Sequence, residues 1–451
     1  MARTPYVRIL RTLTTGIVAG TVLALFALPA QAAAGDLDPT WGTGGIVTTN
    51  PGHHGWGNQI AIQPDGKVIV VGFDGTGSVL DFAVVRYNTD GSLDSTFGNG
   101  GIVTTDFGGG TKDFARAVAL QPNGKIVVGG EAGYDYGLAR YNPDGTLDTT
   151  FGPNHNGKVT LNIFGEDAIR AVLIRNDGKI VTVGFSGRQG THDFSIARFR
   201  PSGILDTSFA TNGTARTDLG GEDQARGAAI TTGGRIVVTG YYKVPSTHLQ
   251  DIAMVRYTPG GLLDTTFGPN GTGWFTTDLG QSEVARALVV QPDNKIVVGA
   301  YIGSGGGLAA PNAGHDGDEE EKGNADFLVL RYTSNGALDT TFGPDQQGFV
   351  VTDIGGPLSG DHIRGIALQA DGKIVAAGNS PGGTVDDFAL ARYNLNGTLD
   401  ATFGNGGIVT TDFGGADGAR DVKIQADGKI LAAGIASSPL GSLIAVGRYE
   451  G

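Results

Sequence analysis

The residues best suited to chemistry are six arginines that recur at one position of a repeated pattern. They are Arg116, Arg170, Arg226, Arg286, Arg364 and Arg420. A ring of guanidinium groups could bind an anion such as a uronate or a phosphate, because the planar fork of arginine fits carboxylate and phosphate oxygens. The alternative is structural, since a buried arginine requires a carboxylate or carbonyl partner and could tie neighbouring units together as an Arg–Asp pair. Recurrence in six units favours the tie.

Carboxylates recur at two further positions of the same pattern. One set stands three residues before the arginines: Asp113, Asp167, Asp223, Glu283, Asp361 and Asp417. The other set comprises Asp106, Asp218, Asp278, Asp353 and Asp412, with Asn50 and Asn162 as neutral equivalents. Oxygens beside glycine bends could bind calcium, but the spacing matches neither an EF-hand loop nor a glycine-rich nonapeptide. We therefore predict no metal site and no cofactor, with calcium as the alternative.

Aromatic and imidazole side chains cluster in or beside the segments that differ most between repeats. They are Trp56, Tyr134, Tyr136, His192, Tyr241, Tyr242, His248 and Tyr301. Such side chains could stack on sugar rings or anchor a protein partner. The alternative is that they only cover the tops of the repeated units, because scattered surface aromatics are common.

No catalytic residue can be assigned. The seven histidines do not recur at one repeat position, and the chain contains no H-E-x-x-H or Walker motif. The sequence therefore favours a protein that is not an enzyme. A site whose residues converge from distant repeats would leave no such motif.

These residues belong to a unit that occurs seven times. Arg-Tyr or Arg-Phe recurs at Arg86, Arg140, Arg198, Arg256, Arg331, Arg392 and Arg448. We expect these arginines also to tie neighbouring units. A second signature, Leu-Asp-x-x-Phe/Trp, begins at Leu37, Leu93, Leu147, Leu205, Leu263, Leu338 and Leu399. The 78 glycines fall at fixed places in the unit, which indicates turns.

One repeat contains four short strands. Residues 115–121, 126–129, 136–141 and 158–161 read as strands, and Pro122–Lys125 and Asn142–Gly145 read as turns. Four antiparallel strands with turns between them are typical of a β-propeller blade. A β-solenoid is the competing architecture, but its coils are shorter and would not give two hairpins per period.

The first copy of the Leu-Asp-x-x-Phe/Trp signature precedes the first Arg-Tyr, and no copy follows the last Arg-Tyr. This first copy is followed by a strand at residues 46–49, whereas the last repeat ends at Gly451 just after its third strand. Pairing the two would protect an exposed strand edge. We therefore predict an all-β fold: a seven-bladed β-propeller of four-stranded antiparallel blades whose last blade is closed by the N-terminal strand.

The repeats resemble the delta-60 repeat family of bacterial extracellular β-propellers. The resemblance rests on the run LDxxFG…GIVTTD…ARAVALQPDGKIVVGG…DFALARYNPDGT, nearly complete at residues 93–145 and again at 338–397. It covers about residues 36–451. It implies an extracellular propeller and transfers no catalytic residue.

The N-terminus reads as a secretory signal. Arg3, Arg8 and Arg11 precede an apolar stretch at residues 16–28, and Ala30-Gln31-Ala32 fits a cleavage site. We predict a signal peptide at residues 1–32 and one propeller domain at residues 33–451, with an uncleaved anchor as the alternative. Cleavage would change the net charge from −13 to −16, because the three arginines leave with no acid. That charge disfavours nucleic acid and anionic membranes as partners, and the absence of Cys excludes disulfides and thiol chemistry.

Two rims follow from this topology. Turns joining strands one to two and three to four form a uniform rim, the turn rim; the other connections form a varied rim, the loop rim. The varied loops are residues 72–80, 131–134, 186–192, 241–250, 301–325, 379–385 and 436–442. Residues that decide which ligand is bound are expected on the loop rim.

The leading prediction is a secreted, monomeric binding module that recognises carbohydrate or an extracellular protein at the cell surface through the loop rim. One alternative is a polysaccharide lyase or hydrolase at the channel mouth that uses the arginines with His192 or His248. The other is a purely structural surface protein. The acidic insertion that contains Asp316 and Asp318 is expected to be a solvated loop or a weak cation site.

Overall fold

The chain forms seven sheets of four antiparallel strands in the part that the structure describes. The computed structural model describes residues 32–77, 79–303, 324–357, 359–383, 385–439 and 441–451. The strand order in every sheet follows one blade from inside to outside. The predicted seven-bladed all-β propeller is confirmed.

Blades 1 to 4 run in chain order. Blade 1 contains β2 (Trp56–Ile62), β3 (Val68–Thr76), β4 (Val79–Tyr87) and β5 (Ile102–Thr105). Blade 2 contains β6 (Asp113–Leu120), β7 (Ile126–Ala132), β8 (Asp135–Tyr141) and β9 (Lys158–Leu161). Blade 3 contains β10 (Glu166–Ile174), β11 (Ile180–Arg188), β12 (Thr191–Phe199) and β13 (Thr214–Thr217). Blade 4 contains β14 (Glu222–Ile230), β15 (Ile236–Lys243), β16 (Gln250–Tyr257) and β17 (Trp274–Thr277).

Blades 5 to 7 complete the ring. Blade 5 contains β18 (Ser282–Val290), β19 (Ile296–Gly303), β20 (Ala325–Tyr332) and β21 (Phe349–Thr352). Blade 6 contains β22 (His362–Leu368), β23 (Ile374–Pro381), β24 (Asp386–Tyr393) and β25 (Ile408–Thr411). Blade 7 contains β26 (Asp417–Ile424), β27 (Ile430–Ser438), β28 (Gly441–Tyr449) and β1 (Ile46–Thr49).

Both ends of the propeller domain meet in blade 7. Strand β1 pairs antiparallel with β28, from Ile46 opposite Gly447 to Thr49 opposite Ile444. The guanidinium of Arg448 then forms an ion pair with Asp38 over 2.6 Å, and the Asp38 backbone N–H donates to the Arg448 carbonyl over 2.8 Å. The predicted closure by the N-terminal strand is confirmed.

The Leu-Asp-x-x-Phe and Arg-Tyr signatures are parts of one contact. In blade 1, Arg86 Nε donates to Asp94 Oδ2 over 2.7 Å, and its guanidinium lies 4.5 Å from the centre of the Phe97 ring. Arg86 also donates to the Pro143 carbonyl in the turn of blade 2. Buried ion pairs need such additional hydrogen bonds to offset desolvation. The third-strand arginines therefore tie neighbouring blades, as the recurrence of Arg-Tyr predicted.

The apolar core lies mainly between blades. Val71 and Phe82 of blade 1, for example, pack in one buried cluster with Val118 and Val128 of blade 2. Both faces of each sheet are covered, which explains why the strands read as nearly continuous apolar runs. Each blade therefore depends on its neighbours for burial.

The signal segment and the acidic insertion lie mostly outside the described residues, and the predicted lengths of several loops need correction. Most of the signal segment and nearly all of the acidic insertion, residues 304–323, are not described. Several of the varied loops are shorter than predicted, because the second and third strands extend as regular hairpins: β3 reaches Thr76 and β11 reaches Arg188. No helix in the described part is long and apolar enough to cross a membrane.

Candidate functional site

Every inner strand has a β-bulge at one position, which arginine occupies in six blades and asparagine in blade 1. In blade 2, Ala115 pairs with Gly130 and Ala117 with Gly129, so Arg116 is the extra residue. The same shift occurs at Arg170, Arg226, Arg286, Arg364 and Arg420, and at Asn58 in blade 1. Bulges re-aim a side chain out of the regular pleat. The seven residues accordingly line one central channel of about 340 Å³.

The bulge also explains a recurring glycine opposite it. A Cβ at Gly130 would lie 1.8 Å from the Phe114 carbonyl oxygen, and a Cβ at Gly240 would lie 1.9 Å from that of Gln224. A Cβ at that distance would require the facing inner strand to shift. Six of the seven blades have glycine here, and Ala300 is the exception.

Several predicted aromatic residues support the channel arginines. The Arg226 guanidinium lies 5.6 Å from the ring centre of Tyr241, and that of Arg286 lies 5.5 Å from Tyr301. Arg420 lies 5.1 Å from Trp56 across the junction of blades 7 and 1. Stacking of arginine on an aromatic face is favourable at these distances. These rings therefore position the arginines.

Carboxylates near the channel have two roles. Glu131 lies 3.3 Å from Arg116 and 3.6 Å from Arg170, so it joins blades 2 and 3 as an acid–arginine tie of the expected kind. The recurring acids three residues before the arginines instead accept backbone hydrogen bonds from the loop that precedes them. Asp113, for example, accepts from the N–H groups of Phe107 and Gly133.

A cleft of about 1180 Å³ opens on the loop rim over blades 2 to 5, and we term it the rim cleft. It brings together half of the predicted site residues: Tyr134, His192, Tyr241, His248, Tyr301, Arg226 and Arg286. Arg226 and Arg286 also line the channel, so the two spaces meet at these arginines. Arg116, Arg170, Arg364 and Arg420 line only the channel.

Three of the predicted aromatic residues line neither the cleft nor the channel. Tyr136 is 1% exposed, and its hydroxyl hydrogen-bonds Ser195 of blade 3, so it is a core residue and its assignment to a ligand site is wrong. The ring of Trp56 stacks on Phe73, with 5.3 Å between ring centres. Tyr242 packs against the apolar core between blades 3 and 4.

His192 is held by two carboxylates inside the cleft. Its Nδ1 lies 2.6 Å from Glu222 Oε1, its backbone N–H donates to Glu222 Oε2, and its Nε2 lies 3.5 Å from Glu166 Oε2. Burial raises the pKa of Glu222, but the hydrogen bond and charge of His192 outweigh it and lower that pKa overall. The pair is positioned as an acid–base pair would be.

The cleft is also lined by Phe164, Glu222 and Arg216, which were not predicted as site residues from the sequence. Phe164 is 45% exposed, and the Arg216 guanidinium lies 4.5 Å from its ring centre. Two of them could have been found in the sequence, because Phe164 and Arg216 differ from the residues at the same position of the other repeats. Such departures mark varied surfaces.

The fold and its repeated ties define a β-propeller repeat protein. Six segments, residues 63–97, 121–151, 175–209, 234–267, 314–342 and 369–403, match the family described as "Domain of unknown function (DUF5122) beta-propeller". These matches support a β-propeller repeat family. No curated protein matches the chain.

Solved structures share the fold at low sequence identity. Virginiamycin B lyase from Staphylococcus aureus is 10% identical with a TM-score of 0.49, over 89% of this chain and 98% of that chain. Polysaccharide lyase Uly1 is 12% identical with a TM-score of 0.48, over 87% and 90%. Drosophila Plexin A, in complex with Semaphorin 1b, is 12% identical with a TM-score of 0.46, over 92% and 88%. Similarity at this level carries no conclusion about activity.

Proposed function

We propose that the protein is a carbohydrate-binding module whose ligand lies in the rim cleft. One observation carries the proposal. Tyr134 and Phe164, 54% and 45% exposed, are the aromatic side chains among the exposed large apolar residues of the described chain, and both line this cleft. Aromatic side chains with this much exposed surface are suited to stacking on sugar rings.

The polar lining of the cleft supports a sugar over an apolar ligand. Glu166, Glu222 and Gln224 line the cleft beside Gln189 and Thr191 of the β11–β12 hairpin. Carboxylates and amides supply the donors and acceptors that sugar hydroxyls require. The acidic groups disfavour a polyanionic glycan, whereas Arg226 and Arg286 at the cleft floor would accept a single uronate.

A glycan array at low and high salt, followed by calorimetry on the best glycan, tests the proposal. Tyr134→Ala and Phe164→Ala are each expected to weaken binding about tenfold, or about 1.4 kcal/mol, through loss of stacking. Leu262→Ala is the control, because Leu262 is 65% exposed on the turn rim and lies outside the cleft lining. Unchanged affinity in both cleft variants would overturn the proposal. Binding to no glycan would favour the structural alternative.

The second candidate is an enzyme acting on polysaccharide, and the His192–Glu222 pair favours it. The positioned imidazole of His192 could move a proton while the guanidinium of Arg226, which lines the same cleft, holds a uronate. Incubation of bound polysaccharide with the wild-type protein would yield reducing ends or unsaturated products, and His192→Gln would abolish them without loss of binding. Intact polysaccharide after prolonged incubation with the wild type would dismiss this candidate.

We also propose that the protein acts outside the cell. The support is the signal-like segment at residues 1–32. Fractionation of a culture that expresses the full chain, with N-terminal sequencing of the mature form, tests the location and the cleavage site. Retention of residues 1–32 in the membrane fraction would favour the uncleaved anchor.

A further inference from the structure

Five of the seven blade junctions, among the described residues, hold three converging carboxylates. One comes from the third strand of a blade, one directly follows its fourth strand, and one begins the inner strand of the next blade. The sets are Asp81, Asp106 and Asp113; Asp193, Asp218 and Asp223; Asp251, Asp278 and Glu283; Asp326, Asp353 and Asp361; and Asp387, Asp412 and Asp417. In each set, one oxygen per residue lies within 4.8 Å of the others. We term these sets the junction triads.

The other two junctions differ in a consistent way. Between blades 2 and 3, Asn162 replaces the middle acid, and its Nδ2 donates to Asp135 Oδ1 over 2.7 Å. Between blades 7 and 1, the corresponding residues are Leu443, Asn50 and Gly55. Where one carboxylate is replaced by an amide, a hydrogen bond closes the cluster. The junction triads have no such internal donor.

Buried carboxylate oxygens without a hydrogen-bond partner are a second observation that points to a ligand at the triads. Glu283 is 0% exposed; its Oε1 accepts from the Gln281 N–H over 2.9 Å, but its Oε2 has no hydrogen-bond partner among the described residues. Asp223 Oδ1 and Asp361 Oδ1 are likewise buried without a partner in the described part of the chain. A buried unpaired carboxylate oxygen is costly, so native structures satisfy such atoms with a donor or a cation.

Three carboxylates converge at the junction of blades 4 and 5, where Glu283 is fully buried and no basic side chain of the described residues forms an ion pair with the triad. At the junction of blades 3 and 4, in contrast, the guanidinium of Arg216 pairs with Asp193. The junction of blades 4 and 5 is therefore the clearest candidate for an external cation.

We propose that the triad of Asp251, Asp278 and Glu283 binds Ca²⁺, and that the triads without a basic partner form equivalent sites. Calcium takes six to eight oxygen ligands at about 2.4 Å, so two of its ligands lie at most about 4.8 Å apart. Three carboxylates can supply up to six oxygens, and water completes the shell. Magnesium keeps several waters and usually takes one or two carboxylates, so a set of three carboxylates favours calcium. Each ion would join two blades.

Calcium titration of the chelator-treated full-length protein, by equilibrium dialysis and calorimetry, tests this inference. The wild type is expected to bind several Ca²⁺ per chain and to melt at a higher temperature in CaCl₂ than in an equal concentration of MgCl₂. Asp278→Asn reproduces the amide found at Asn162, and is expected to bind one Ca²⁺ fewer. Asp371→Asn, on the turn rim, removes the same charge away from any triad and is expected to bind as the wild type.

The converse substitution completes the test. Asn162→Asp places a third carboxylate beside Asp135 and Asp167, and is expected to bind one Ca²⁺ more than the wild type. Far-ultraviolet circular dichroism establishes that each variant keeps the wild-type sheet content. Absence of Ca²⁺ binding at millimolar concentration, or an unchanged number of bound ions in both Asp278→Asn and Asn162→Asp, would overturn the proposal. These readouts do not depend on glycan binding.

Discussion

The hydroxyl of Tyr141 donates to Oγ1 of Thr105 over 2.8 Å, across the junction of blades 1 and 2. Tyrosines of the Arg-Tyr signature make the same contact with the threonine that ends the preceding fourth strand at Tyr87, Tyr257, Tyr332, Tyr393 and Tyr449. Blade 3 replaces both partners, with Phe199 facing the position of Leu161 in one apolar cluster. The tyrosine and the threonine are therefore two halves of one contact that changes as a unit.

Removing one half of this contact should cost more than removing both. Tyr141→Phe leaves the buried Thr105 hydroxyl without its donor, which is expected to cost about 1–2 kcal/mol of unfolding free energy. The double variant Tyr141→Phe/Thr105→Val replaces both polar partners with apolar residues, as Phe199 and Leu161 do in blade 3. It is expected to cost less than the sum of its single variants, with a coupling of about 1 kcal/mol measured by denaturant unfolding. Strict additivity would show that the hydrogen bond contributes nothing.

A second prediction concerns the bulge glycine. Gly130→Ala would place a Cβ 1.8 Å from the Phe114 carbonyl oxygen, so the inner strand must shift. We expect a loss of at least about 3 kcal/mol, measured as a lower melting temperature. Gly260→Ala is the control, because its Cβ would meet only Thr258 Oγ1 at 3.8 Å. Equal melting temperatures for the two variants would contradict the steric explanation.

A third prediction concerns acid. Burial alone would raise the pKa of Asp264, but hydrogen bonds from Thr266 and the charges of Arg256 and Arg235 lower it to about 2. Since the folded-state pKa is below the unfolded value of about 3.9, the stabilisation is present above about pH 4 and is lost as the pH falls through 2. The wild type should therefore exceed Asp264→Asn in melting temperature most at pH 5, and the difference should shrink toward pH 2. A difference independent of pH would argue against the linkage.

The fourth prediction concerns ring closure. Deletion of residues 36–49 removes β1 and the Asp38–Arg448 pair, and leaves one edge of β28 unpaired. Exposed strand edges promote association, so we expect a lower melting temperature and aggregation by light scattering. Deletion of residues 306–321, inside the insertion between β19 and β20, is the control for chain shortening. A monomeric deletion variant that melts like the wild type would refute the role of β1.

The repeated parts of the fold could be predicted because seven copies report the same positions. Strands β1 and β9 match the sequence analysis residue for residue, and the Arg-Tyr arginines tie blades as expected. The site was less predictable because it depends on differences between copies. Tyr136 and Phe164 illustrate this: neither burial of the first nor exposure of the second follows from its residue type. The junction triads join three segments, so only the packed blades bring their carboxylates together.

The shared seventh blade gives the chain a particular order of events during synthesis. Of the described strands, β1 is synthesised before the others, whereas β28, with which it pairs in blade 7, is synthesised after the others. Local hairpins such as β2–β3 can form as they emerge, but the contact between β1 and β28 spans nearly the whole chain and must close a very long loop. For most of translation, β1 is therefore an unpaired strand edge. Until β28 arrives, the early chain must avoid pairing of that edge with other nascent chains.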